Sequence, residues 1–250
     1  MVAGPEIRIA ADREALARMA ADEFAVRAEA AIRARGAFAV ALSGGSTPKD
    51  LYALLASDEQ PFRRSIAWDK VHFFWGDERH VPPDDSQSNY RMAREAMLSK
   101  LPVPPGNVHR ILAEKPDAAE AAAAYEQTLR DFFRLAPAEL PRFDLVLLGL
   151  GPEGHTASLF PGNSVGDDAA RLAAAPWVEK LNSFRITLTP AALNRAARVA
   201  FLVGGADKAE IVADVIYGPQ RPDELPAQCI RPELTNIVWL LDRAAAAKLP

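Results

Sequence analysis

The run GLGPEGHTASLFPG, residues 149–162, carries one histidine, His155, two residues after an acid, Glu153. Immediately before it stands an unbroken apolar stretch, LVLL at 145–148, the pattern of a strand buried on both faces. Glycine lets a backbone approach a ligand closely, and ligands of open α/β sheets bind at the carboxyl ends of the strands. A side chain that titrates near neutral pH thus stands where a substrate would sit, which suits proton transfer. The plainer alternative for a lone histidine is a hydrogen-bonded structural role; the apolar strand and the glycines around His155 favour chemistry. His72 within a strand pattern, His80 beside Arg79, and His109 before an apolar pair are less well placed.

Two further loops follow two further apolar strands. After AFAVAL come Ser43, Gly44, Gly45, Ser46, Thr47 and Pro48. Two glycines, three hydroxyls and a proline suited to a first helical turn read as a phosphate cradle at a helix N-terminus, or more simply as a capped turn. The loop is neither a Walker sequence nor a nucleophile elbow, so nucleotide hydrolysis and serine-hydrolase chemistry have little support. After VHFFW come Gly76, Asp77, Glu78, Arg79 and His80. A solvated turn with a local ion pair would explain these charges. Functionally, Arg79 could steady a developing oxyanion, and Asp77 could orient a histidine or an attacking water. Arg185, which opens RITLTP, and Lys208, just after VGG, read as surface charge or as the cations that neutralise a phosphate dianion. The match of 149–154 to G-x-G-x-x-G lacks the long helix that a dinucleotide site needs, and no spacing resembles a metal motif.

The elements that must position these loops alternate. Strands are predicted at 6–10, 37–42, 71–75, 143–148, 178–181, 185–188, 199–204 and 237–241. Helices are predicted at 12–35, stopped by Gly36, and at 48–55, 89–100, 117–134 and 207–215, with a last one after 241. This alternation argues for an α/β fold with a mostly parallel sheet covered on both faces. No repeat or long linker divides the 250 residues, so one domain over 1–250 is expected. The net charge of -4 gives no reason to expect nucleic acid or an anionic membrane as partner. The single cysteine, Cys229, excludes an internal disulfide and any cysteine-cluster metal site. No apolar run approaches bilayer length and the N-terminus lacks a secretory pattern, so a cytoplasmic protein is expected.

SGGSTP, GDERHVP and GLGPEGHTASLFPG, in this order and spacing, together with DSQSNYR at 85–91, resemble the 6-phosphogluconolactonase family over nearly the whole chain. The resemblance implies a Rossmann-like α/β/α sandwich related to the glucosamine-6-phosphate deaminases. It also implies hydrolysis of 6-phospho-D-glucono-1,5-lactone in the oxidative pentose phosphate pathway. No metal or organic cofactor is implied, and the partner is a small phosphorylated sugar lactone, with a monomer or small homo-oligomer expected. Family roles carry over as a phosphate site at Ser43, Gly44, Gly45, Ser46 and Thr47, helped by Arg185 and Lys208, with His155 as general base. Where the family usually has aspartate two residues before the histidine, this chain has Glu153. A lactone is an activated ester, so water deprotonated by His155 suffices as nucleophile, with Arg79 or loop amides holding the oxyanion. The rival on the same fold is a sugar-phosphate deaminase or isomerase, which needs an acid just after the histidine loop; this chain has Phe160, Pro161 and Gly162 there. A non-catalytic sugar-phosphate sensor would need neither His155 nor the acidic loop.

Overall fold

The computed structural model describes residues 6–163, 165, 170–231 and 236–250. Residues 1–5, part of the stretch read for a secretory signal, lie outside them. The chain enters as β1 (Glu6–Ala10) and turns into the helix α1 (Arg13–Arg35), where Asp12 accepts the amide of Ala15 and Gly36 returns its own amide to the Ile32 carbonyl. Then come β2 (Phe38–Leu42), α2 (Ser46–Leu55), the single turn α3 (Phe62–Ser65), β3 (Val71–Trp75) and β4 (Asp77–Arg79). They are followed by α4 (Asn89–Ala96), α5 (Ala118–Phe133) and β5 (Leu145–Leu148). The last part holds β6 (Ala173–Ala174), β7 (Trp177–Val178), β8 (Ser183–Leu188), α6 (Pro190–Asn194), β9 (Arg198–Val203), α7 (Ala209–Tyr217) and β10 (Asn236–Asp242).

Six strands pair in the order β1-β10-β9-β5-β2-β3, and every pair is parallel. Successive strand residues face opposite sides of a sheet. β2, β5 and β9 are buried at every position, so both faces of the central sheet are covered, as a parallel sheet requires. The α/β fold with a parallel sheet covered on both faces, read from the alternation, is the one observed. A second sheet is antiparallel, β4-β8-β6 with β7 on β8. It was not legible in sequence, because its strands are two or three residues long apart from β8 and carry no apolar alternation.

Three predicted elements are corrected. The strand expected at 178–181 is only Trp177–Val178; residues 179–181 form a 3₁₀ turn, and Asn182 at φ 45° reverses the chain into β8. The helix expected after 241 is a series of turns over 243–248. Asp242 draws the tract into turns: its carboxylate accepts the Ala245 amide and its carbonyl accepts the Ala246 amide. The predicted helix 89–100 also ends early, at Ala96, where Met97 leaves helical geometry and a 3₁₀ turn follows. Among the described residues no helix is long and apolar enough to cross a membrane.

At the end of the sheet away from the glycine loops, the buried Glu23 of α1 draws in three arginines. It accepts from Arg27 Nε at 2.8 Å, Arg198 Nε at 3.0 Å and Arg8 Nη1 at 2.9 Å. Burial pushes the Glu23 carboxyl up, but the guanidinium groups outweigh it and hold the group below its ordinary 4.5. Glu23→Gln leaves those cations facing a neutral amide, and should cost about 3 kcal/mol, the scale of a broken buried pair. The check is a lower urea midpoint at unchanged m. A depressed carboxyl contributes stability above its unfolded value and loses it as pH falls through the folded one. The difference between wild type and variant should therefore shrink on acidification below pH 4.5.

Candidate active site

β2, β5 and β9 are adjacent in the sheet, and the loops at their carboxyl ends open into one cleft of about 530 Å³. The loop after β2 is clamped by a buried tyrosine: Tyr52 Oη accepts the Ser43 amide at 3.0 Å and donates to the Ser43 carbonyl at 2.8 Å. α2 then starts at Ser46 behind Gly45, whose φ of 102° excludes a side chain. No side chain caps this helix, so its first amides face the cleft with the partial positive charge of a helix N-terminus. Ser43 Oγ is buried and has no hydrogen-bond partner among the described residues. Residues 43–47 all line the cleft, and their donors suit an anion.

The loop after β5 closes on itself. Gly151 N donates to the His155 carbonyl at 2.8 Å, and Thr156 Oγ1 donates to the Gly149 carbonyl at 2.8 Å. The His155 ring stacks on Phe160 at 4.3 Å and lies close against Gly151. A Cβ at Gly151 would stand 2.0 Å from His155 Nδ1, so this glycine makes room for the loop's own histidine. Nδ1 is buried and lies 3.1 Å from Glu153 Oε2, without the alignment of a hydrogen bond. The other oxygen of Glu153 accepts from Lys180 Nζ at 2.9 Å. Burial lowers the His155 pKa below 6.5; Glu153 and Asp77 oppose the shift and Lys208 adds to it. Glu153 is held below its ordinary value: burial pushes it up, but Lys180 and His155 outweigh that.

The acidic loop leaves the main sheet at Gly76, which donates to the Leu42 carbonyl and accepts from the Leu188 amide. β4 pairs with β8 in the register Asp77↔Thr187, Glu78↔Ile186, Arg79↔Arg185. Alternation then sends Asp77 and Arg79 to one face and Glu78 to the other. Asp77 and Arg79 line the cleft. Glu78 is buried and accepts the amides of Arg79, Asn89 and Tyr90 and the Ser88 hydroxyl, which ties it to the start of α4. Burial raises its pKa, against those amide bonds. Asp77 makes its bonds elsewhere than to His155: Oδ2 accepts from Ser158 Oγ at 2.7 Å, and Asn89 Nδ2 donates to its carbonyl at 3.0 Å and to Oδ1 at 3.3 Å.

Residues 43–47, Asp77, Arg79, His155 and Lys208 thus share one cleft. Lys208 stands at the start of α7, 3.7 Å from Asp207. Two expected site residues lie outside the lining. Glu153 stands behind His155, and the buried Arg185 stands opposite Arg79, with, among the described residues, only long contacts to Ser183 Oγ (3.4 Å) and the Phe184 carbonyl (3.5 Å). Burial and the Arg79 charge lower the Arg185 pKa, against Asp77 and Glu78. The sequence did not single out Asn89, which lines the cleft and packs so closely on Gly44 that a Cβ there would be 2.0 Å from its Oδ1. Its only signal was its place in DSQSNYR. Arg13 and Tyr52 were also missed, and nothing local marks either.

The sequence profile described as glucosamine-6-phosphate isomerases/6-phosphogluconolactonase matches residues 11–239. The 6-phosphogluconolactonase of a Nostoc species is 41% identical over 97% of this chain and 98% of its own. That of Mycobacterium tuberculosis is 40% identical over 98% of each. Among solved structures, 6-phosphogluconolactonase from Trypanosoma cruzi superposes with a TM-score of 0.86 at 30% identity, covering 100% of this chain and 98% of that one.

The contact between Gly151 and the imidazole yields a test that needs no substrate. Gly151→Ala puts a methyl group where the ring lies, so the His155 ring should swing away from Glu153. Its imidazole NMR resonances should shift while the free energy of unfolding falls by no more than about 1–3 kcal/mol, the usual cost of overpacking. Unchanged resonances would contradict the packing described.

Proposed function

The chain belongs to the glucosamine-6-phosphate isomerase/6-phosphogluconolactonase family, and from that premise we propose how its own residues carry out the reaction. The protein is a hydrolase that opens 6-phosphogluconolactone to 6-phosphogluconate in the pentose phosphate pathway. The observation that carries the assignment of roles is the pairing, across one cleft, of a histidine biased toward its neutral form with an uncapped helix N-terminus and a lysine.

The phosphate of the substrate sits on the amides and hydroxyls of residues 43–47, with Lys208 as its counter-charge. That anchor, remote from the reacting carbon, supplies binding energy that orients the ring. The carboxylate of Glu153 beside Nδ1 favours the tautomer with the proton on Nδ1, which leaves the Nε2 lone pair for a water. As Nε2 takes the proton, the water oxygen bonds to the lactone carbonyl carbon and the carbonyl oxygen gains charge. Arg79, on the cleft side of β4, or the loop amides take up that charge. Collapse of the tetrahedral adduct breaks the bond to the ring oxygen, and the imidazolium returns its proton there. The products are the free carboxylic acid and the C5 hydroxyl, so one water is consumed and His155 ends neutral. Arg185, the cross-strand partner of Arg79, adds positive potential beside it. The substrate is a free small molecule, and the reading places the work in the cytoplasm, with no nucleic acid or membrane involved.

His155→Ala should lower kcat by roughly 10²–10⁴-fold with little change in KM, the usual worth of a general base. Acid release from freshly prepared 6-phosphogluconolactone, corrected for spontaneous opening, reads it. The acid limb of the wild-type kcat/KM profile should have its midpoint below 6.5, because burial favours the neutral imidazole that accepts the proton. Near-normal turnover of the variant would remove His155 from this role.

Lys208→Ala should weaken use of the phosphorylated lactone by about 10-fold or more, the loss of one charge-assisted bond to phosphate, and leave unphosphorylated gluconolactone nearly unaffected. Equal losses for the two lactones would show that Lys208 does not recognise phosphate.

A further inference from the structure

Glu153 has an extra methylene compared with aspartate, and so one more rotatable bond to restrain before its carboxylate can serve His155. The restraint comes from another part of the chain. The turn between β7 and β8 carries Lys180, whose Nζ lies 2.9 Å from Glu153 Oε1 while Oε2 of the same carboxylate lies 3.1 Å from His155 Nδ1. Oε2 is buried and has no hydrogen-bond partner among the described residues, so the direction in which it points depends on what holds Oε1.

We propose that Lys180 is a positioning residue for the lactonase reaction, pinning Glu153 so that its second oxygen faces His155 and offsetting part of the carboxylate charge that the imidazole feels. The proposal rests on the reading of His155 as the base. The charged groups facing His155 are Glu153 from its own loop, Asp77 from β4 and Lys208 from the start of α7. Lys180 reaches the imidazole through Glu153. With Lys180 present, the carboxylate orients the ring without drawing a proton onto it so strongly that the base is lost at neutral pH. Without Lys180, Glu153 can rotate, and its whole charge stabilises the imidazolium. Lys180 is 69% exposed, so solvent and salt moderate the effect.

The test is Lys180→Met, with the His155 imidazole titrated by NMR. Its pKa should rise by roughly 0.2–0.7 unit, the worth of an exposed ion pair. At pH 7 kcat should fall about two- to fivefold at unchanged KM, on the same scale. Lys180→Arg should restore both values, and in a Glu153→Gln background Lys180→Met should change neither. An unmoved imidazole titration, or the same change with Glu153 already replaced, would overturn the proposal. The titration is read without turnover: His155→Ala retaining activity would remove the base, whereas an unmoved titration beside an inactive His155→Ala would remove Lys180 alone.

Discussion

The buried carboxylate of Asp77 is the tie on which the site depends. It stands at the first position after the chain leaves the main sheet, and it receives Ser158 from the histidine loop and Asn89 from the start of α4. Asn89 in turn packs against Gly44 of the loop after β2. One side chain thereby joins three segments that are far apart in sequence. An unsatisfied buried carboxylate is costly, so the arrangement in which all these donors converge is strongly preferred over any in which one loop drifts. The acid expected to orient a histidine or a water bonds to the loop that carries the histidine, and its charge reaches His155.

The same constraint governs how strands end. A strand that stops pairing leaves backbone groups that must find partners. At the ends of β2 and β3 these partners are buried tyrosines: Tyr52 bonds both backbone groups of Ser43, and Tyr125 bonds both those of Trp75. The two loops are therefore rigid where they leave the sheet, and their polar groups face the cleft from fixed positions. Glu78 performs a similar service at α4. Of the two acids in the acidic loop, one builds the helix and one ties the loops together.

Charge is distributed to match. Lys208, Arg79 and the first turn of α2 bring positive potential to the cleft, while the depressed Glu153 sits behind His155. Burial keeps the imidazole toward its neutral form, and neighbouring carboxylates soften that shift. In the mechanism proposed above, a proton acceptor usable at neutral pH results from the balance of these opposed effects, with Lys180 bonded to Glu153 on one side of it.

The parallel sheet and the three loops were legible in the sequence because they rest on short-range rules. Apolar runs of strand length mark buried strands, glycines and prolines mark where they end, and parallel pairing puts those ends on one side. Residues 43–47, Asp77, Arg79, His155 and Lys208 could be raised as candidates on that ground, and the family resemblance gave them roles. What tertiary structure decided are the long-range pairings: Asp77 with Ser158, Asn89 against Gly44, Lys180 with Glu153, and the small antiparallel sheet that puts Arg185 beside Arg79. Each joins residues 27 to 106 positions apart. No periodicity encodes such contacts, because their geometry follows from how the strands and helices pack, and from the need to satisfy buried polar groups once they have.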